Sequence, residues 1–301
     1  MSRSKAKAKY SKYLIILTLG LSLLLLSAFY PNLAEISEPF KASALINPQG
    51  EYPSFVPKGD IRRFSGETLT YDIDFLFFEK AATAKVRFYE HQGKYFATLT
   101  AETKGVVGFF TNYRKHFYKS SFDIVDEGRR VQTTKFERDV IIGQQKERTI
   151  HFIDYNSRTH LWFLFSGGDL KDRSSDPIPE EVIYDDILAF FYNFRNGVYG
   201  DLKKGGVYKI DTVPENSMKS ITTHISTEEE QEEFRINENR AKKDELLLKV
   251  TIPKDVFKTE TGELIFWASN HYIPLETTIK DYLLLGDLHG KLTSGIPGKL
   301  K

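Results

Sequence analysis

From Phe64 onward the chain is a succession of short runs in which β-branched and aromatic residues alternate with polar ones. Alternation at period two marks a strand with one face turned to a core, and connections too short for a helical crossover oblige consecutive strands to pair antiparallel. Thirteen such runs stand out, at 64–78, 82–90, 94–103, 115–125, 130–140, 148–155, 158–166, 207–213, 219–227, 245–252, 262–269, 273–282 and 283–292. That is more than a flat open sheet carries comfortably. The expected fold is all-β and mainly antiparallel, a curved, partly closed or barrel-like sheet.

One segment departs from period two. In YDDILAFFYNFRNG, residues 184–197, Ile187, Leu188, Phe191 and Phe194 recur at helical spacing, Asp185 or Asp186 can cap the first amides, and Asn196-Gly197 is a natural stop. The spacing predicts a single amphipathic helix over 185–196, its apolar side buried inside the sheet. The charge-dense stretch 226–245 reads as a solvated hairpin excursion.

Ahead of the strands lies YLIILTLGLSLLLLSAFY, residues 13–30, without a charge and preceded by Arg3, Lys5, Lys7, Lys9 and Lys12. As a helix it spans about 27 Å, close to a bilayer's hydrocarbon thickness. A signal peptide needs a small-x-small cleavage site, and the exit SAFYPNLAE has no clean match. The reading is a transmembrane anchor with a cytoplasmic basic segment at 1–12, a cleaved signal peptide being the alternative. Five prolines at 31, 39, 48, 53 and 57 make 31–60 a linker, leaving a β-rich domain at 61–292 and a tail at 293–301. The localisation that follows is the inner membrane, single-pass, with a periplasmic domain.

Of 42 basic residues, five precede the apolar run, which leaves 37 against 41 acidic groups. A slightly acidic domain has no bulk affinity for phosphate backbones, so no nucleic-acid partner is expected. The absence of cysteine excludes thiol catalysis, disulfides and a lipidated cysteine. The stretch GDLHGKLT at 286–293 is a residue short of a phosphate-binding loop and alternates like a strand, and neither G-x-S-x-G nor H-E-x-x-H occurs. Asp72 and Asp74 share one strand face and are the best carboxylate pair for a hydrolase or a cation. His116, His151 and His160 can meet only across neighbouring strands, and His151 and Asp154 fall on opposite faces. No catalytic residue, metal ligand or cofactor is assigned.

Three landmarks, FSGETLTYDIDF, YDDILAFFYNFRNG and GELIFWASNHYIPLETTI running on to LGDLHGKL, resemble those of the bacterial envelope proteins grouped as domain of unknown function 3108 (DUF3108). The likeness covers roughly 61–292 and places Gly66, Glu67, Tyr71, Asp186, Arg195 and Pro274 at its motif positions. It departs at Asn270-His271-Tyr272, where an acidic residue is usual, and at Ala81-Ala82, in place of a glycine. The resemblance implies an exported β-rich architecture and no reaction. Four of these six residues also have a structural role available: backbone freedom at Gly66, a strand edge at Pro274, and opposite helix ends for Asp186 and Arg195.

The expectation is therefore a non-enzymatic, membrane-anchored envelope protein that binds a lipid or other apolar ligand, or docks an envelope partner. The alternative is an extracytoplasmic hydrolase using carboxylates.

Overall fold

A computed structural model of the chain describes residues 59–215, 218–241, 245–254, 259–282 and 286–298. The candidate anchor at 13–30 and nearly all of the 31–60 linker lie outside the described residues. No helix among the described residues is long and apolar enough to cross a membrane.

Eight strands follow one another as hairpins: β1 (Thr68–Phe75), β2 (Phe78–His91), β3 (Lys94–Thr103), β4 (Lys115–Val125), β5 (Arg130–Ile142), β6 (Gln145–Asp154), β7 (Thr159–Ser166) and β8 (Asp169–Pro177). Six more return: β9 (Val207–Glu215), β10 (Met218–Ile225), β11 (Leu246–Thr251), β12 (Glu263–Ala268), β13 (Pro274–Tyr282) and β14 (Gly286–Ile296). All fourteen form one antiparallel sheet, ordered β8-β7-β6-β5-β4-β3-β2-β1-β14-β13-β12-β11-β10-β9. The chain's two halves join where β1 pairs with both β2 and β14, Thr68 facing Arg87 on one side and Ile296 on the other. β8 and β9 are the two ends and do not pair with each other. The ladder runs past residue 292 to Ile296, so the start of the expected tail is strand.

The sheet is curved, because residues from both of its arms share one core. Phe88, Tyr118 and Phe136 from β2, β4 and β5 cluster with Ile210, Ile221 and Val250 from β9, β10 and β11. Between the arms lies α2 (Ile187–Arg195), the expected helix, with α1 (Gly105–Phe110) before it and α3 (Glu228–Asn237) after it. Leu188, Ala189, Phe190, Tyr192, Asn193, Phe194 and Arg195 of α2 are all buried. A helix so enclosed is surrounded rather than laid on a surface.

Directed polar contacts fix this helix at three points. At its start Asp186 accepts from Leu188 N at 2.7 Å and Ala189 N at 3.2 Å, and also from Ser120 Oγ on β4 at 2.6 Å and Thr133 Oγ1 on β5 at 2.7 Å. In the middle Asn193 pairs with the Val131 backbone of β5, accepting from its N at 3.0 Å and donating to its O at 2.9 Å. At the end Arg195 grips Glu67 through both Nη atoms, at 2.6 and 2.9 Å. That ion pair is sealed, with side-chain exposures of 1% and 0%. The guanidinium also stacks 4.7 Å from the Phe64 ring and 5.0 Å from that of Phe191.

Two expectations are corrected. Residues 226–245 are not a hairpin excursion: α3 occupies 228–237, started by a capping box in which Glu230 N donates to Thr227 Oγ1 at 3.2 Å and Thr227 N to Glu230 Oε2 at 2.8 Å. Three glutamates in its first turn suit the helix dipole, and Phe234 packs against Trp267 on the outer side of β12. There is thus more than the single helix expected. The second correction is β8, a strand with every residue exposed and no apolar alternation to announce it.

Removing one partner of a buried ion pair leaves the other charge stranded, at a cost of about 3–5 kcal/mol. Urea unfolding of Glu67→Ala should show a loss of that size, whereas Asp169→Ala, which breaks the exposed pair with Lys171, should cost under about 1 kcal/mol. Equal small losses would mean that the Glu67–Arg195 pair does not hold the helix in place.

Candidate functional site

The helix fills only part of the space the sheet encloses. Beside it is a partly open cavity of about 220 Å3, bounded by Ile187, Leu188 and Phe191 of α2, by β1 to β4, and by β11 to β14. Its cause is visible in the sequence of its wall. Ala81, Ala82 and Ala84 on β2, Ala101 on β3 and Gly290 on β14 carry almost no side chain where large ones would close the core. Tyr71, Ile73 and Phe75, the inward residues of β1, complete that side. Phe191, expected to be core, is half-buried and faces this space.

Polar side chains collect at one end of the cavity, under α1. Thr103 and Thr111 share a hydroxyl contact of 2.9 Å, and Thr111 Oγ1 donates to Val107 O at 2.8 Å, fastening α1 to β3. Arg114, His116 and Tyr118 follow one another at period two on the inner face of β4 and its approach. Arg114 Nε donates to His116 Nε2 at 3.0 Å, so the imidazole proton sits on Nδ1, 3.2 Å from Tyr118 Oη. Tyr282 on β13 lines the same end, its phenol raised by burial while the Arg114 charge opposes the rise.

The surface around that end is apolar. Phe75, Ala81 and Val107 form a small cluster with Phe78 and Leu288, which joins α1 to the β1–β2 turn. On these same two elements Leu76, Val106, Phe109 and Phe110 are exposed, and Phe77 is 82% exposed.

The motif residues converge on the anchoring of α2 and of β1, with Tyr71 and Pro274 also in the cavity wall. Gly66 adopts a φ of 95°, a conformation that favours glycine, and its N donates to Phe88 O at 2.8 Å. Glu67 and Arg195 form the buried pair, Asp186 caps the helix, and Tyr71 Oη donates to Pro274 O at 3.1 Å across the intervening strand β14. Asp72 and Asp74 lie on the face of β1 away from the cavity, near Lys80 (3.5 Å) and Lys291 (3.8 Å) respectively. The segment GDLHGKLT is the strand β14 and opens no helix.

Of the three histidines only two meet. His151 Nδ1 and His160 Nε2 are 3.0 Å apart, with rings parallel to within 2°, while His116 stands at the cavity. No group of three or more His, Asp or Glu side chains among the described residues is arranged to hold a metal ion.

No family model matches the chain. No curated protein matches it either. Among solved structures it is similar to a beta-barrel-like protein of domain of unknown function DUF1849 from Brucella abortus, at 9% identity and a TM-score of 0.43, over 79% of this chain and all of that one.

The buried histidine pair has a pH consequence. Burial, then the neighbouring His160 and Arg138, hold His151 well below the ordinary imidazole value, and burial lowers His160 too. The unfolded chain takes up protons below about pH 6.5 that the folded one refuses, so this stability is present above that value and is lost as pH falls below it. Each excluded proton approaches about 1.4 kcal/mol per pH unit. Asp185, pushed up to about 6 by burial, acts in the opposite sense below that pH. The diagnostic is therefore the difference between variants. From pH 7.5 to 5.5, urea unfolding of His151→Phe should lose less stability than wild type, and parallel curves would remove the pair from the account.

Proposed function

We propose that the domain is a non-enzymatic binding module, held at a membrane by the apolar run 13–30, that takes the apolar part of a small ligand into the cavity beside α2. The observation that carries this reading is an internal space lined by Ala, Leu, Ile, Val and Phe and left open by small residues on adjacent strands. An engineered apolar cavity of about 150 Å3 stays dry and binds benzene. At about 220 Å3 this one suits a single medium-length tail or a ring system, and is below the roughly 300–1,000 Å3 of drug-sized sites. A whole diacyl lipid does not fit inside it; one chain of such a lipid does in part.

Docking of another envelope component is a second reading, favoured by the exposed Phe77, Phe109 and Phe110 beside the cavity. The carboxylate hydrolase has less to support it, since Asp72 and Asp74 face away from the cavity and towards lysines.

Ligand that binds only the folded state raises its stability, by about 2.7 kcal/mol at about 100 times Kd. Both tryptophans of the chain, Trp162 and Trp267, lie in the domain, so intrinsic fluorescence of the full chain in lipid nanodiscs follows its unfolding. Neutral octanamide should raise the thermal midpoint by several degrees, and Ala84→Phe, which fills the cavity, should abolish the rise. No shift in the wild-type protein, with octanamide or with an anionic ligand of the same chain length, would reject cavity binding and leave docking as the surviving reading.

A further inference from the structure

Arg114 is an anomaly in an apolar chamber. The residue is only 9% exposed, lines the cavity, and is held through Nε by His116. Among the described residues no carboxylate lies within ion-pair distance of its guanidinium. Glu102, which also lines that end, faces Lys115 at 3.9 Å and is half exposed. A cation withdrawn from water without a counter-charge is costly. Arg195, the most deeply buried arginine among the described residues, shows how this chain balances such a charge, with a carboxylate on both Nη atoms.

The contact with His116 uses Nε alone, and the imidazole is in turn fixed by Tyr118 Oη. This chain along β4 orients the guanidinium through Nε, and no hydrogen bond among the described residues engages either Nη, the planar two-donor edge that matches carboxylate and phosphate oxygens. Tyr282 supplies a phenol at the same end. Apolar walls next to one oriented, uncompensated cation describe a receptor for a molecule with a tail and a negative head.

We propose that the cavity takes a single-chain amphiphile with an anionic head, carboxylate or phosphate, the tail lying against the Ala84 and Leu99 wall and the head held by Arg114. The assignment rests on the cavity reading above and goes beyond it by naming the ligand's charge and the residue that selects it. His116 acts as a positioning residue for the guanidinium.

The test compares octanoate with octanamide, equal in length and differing in charge, on the full chain in nanodiscs near pH 7, with the thermal midpoint read by tryptophan fluorescence over a ligand titration. Octanoate should bind at least about tenfold more tightly than octanamide, as expected for a charge-assisted hydrogen-bonded pair. Arg114→Gln should close that gap by weakening octanoate far more than octanamide. Arg114→Lys, which keeps the charge but loses the planar edge, should fall between. Octyl phosphate run alongside ranks the two heads. Equal binding of octanoate, octyl phosphate and octanamide to wild type overturns the proposal while cavity occupancy stands, and it does so without any variant. A gap that survives in Arg114→Gln overturns the role of Arg114. No shift with any of the three rejects the cavity reading itself.

Discussion

The Glu67–Arg195 pair is the contact on which the arrangement of this domain depends. It joins the residue just before the first strand to the last residue of the enclosed helix, 128 positions later. β1 is also the strand through which the two halves of the sheet meet. One bidentate contact thus sets the helix against the junction of both halves. Its cost of desolvation is met by excellent geometry and by the Phe64 and Phe191 rings on the guanidinium. Replacement by apolar residues of like volume could preserve stability, but it would lose the directional definition that a two-pronged contact supplies.

With the helix fixed against β3, β4 and β5, the cavity follows from volume. Where α2 lies, large side chains such as Phe88, Tyr118 and Tyr192 meet and exclude space. Farther along, alanines and a glycine line the strands, and among the described residues only Val107 of α1 reaches in from that end. Close packing is the rule in protein interiors, so a void of this size beside a well-packed plug sets that end of the molecule apart.

Much of this fold was legible in the residues. Period-two runs located thirteen of the fourteen strands, and the Asp186 cap with the Asn196-Gly197 stop located α2 to within two residues. β8 was hidden because neither face is covered, so DLKDRSSDP carries no alternation to read. α3 was legible and overlooked: Thr227-x-x-Glu230 is a capping-box signature, masked by the density of charge around it. The cavity was not legible as such, since a string of alanines acquires meaning only when the strands opposite are known. The Arg114-x-His116-x-Tyr118 period was available, but only the curvature of the sheet shows that it faces inward. The pairing of His151 with His160 depended on the β6–β7 register, which places Ile153 opposite His160.

The unpaired ends of the sheet matter for what the interior can accept. In a closed barrel, strand number and stagger fix the diameter like a riveted hoop, and enlarging the lumen means breaking a ladder. Here the circuit is interrupted between β8 and β9, where the segment entering α2 lies along β9 through Asp185 N to Asp211 O at 2.9 Å and Thr212 Oγ1 to Asp185 O at 2.7 Å. A split ring can be sprung: its girth changes by flexing at the gap while every rung of the ladder stays intact. An open seam leaves the chamber, about 220 Å3 as it stands, free of the constraint that a closed ladder would impose on its girth.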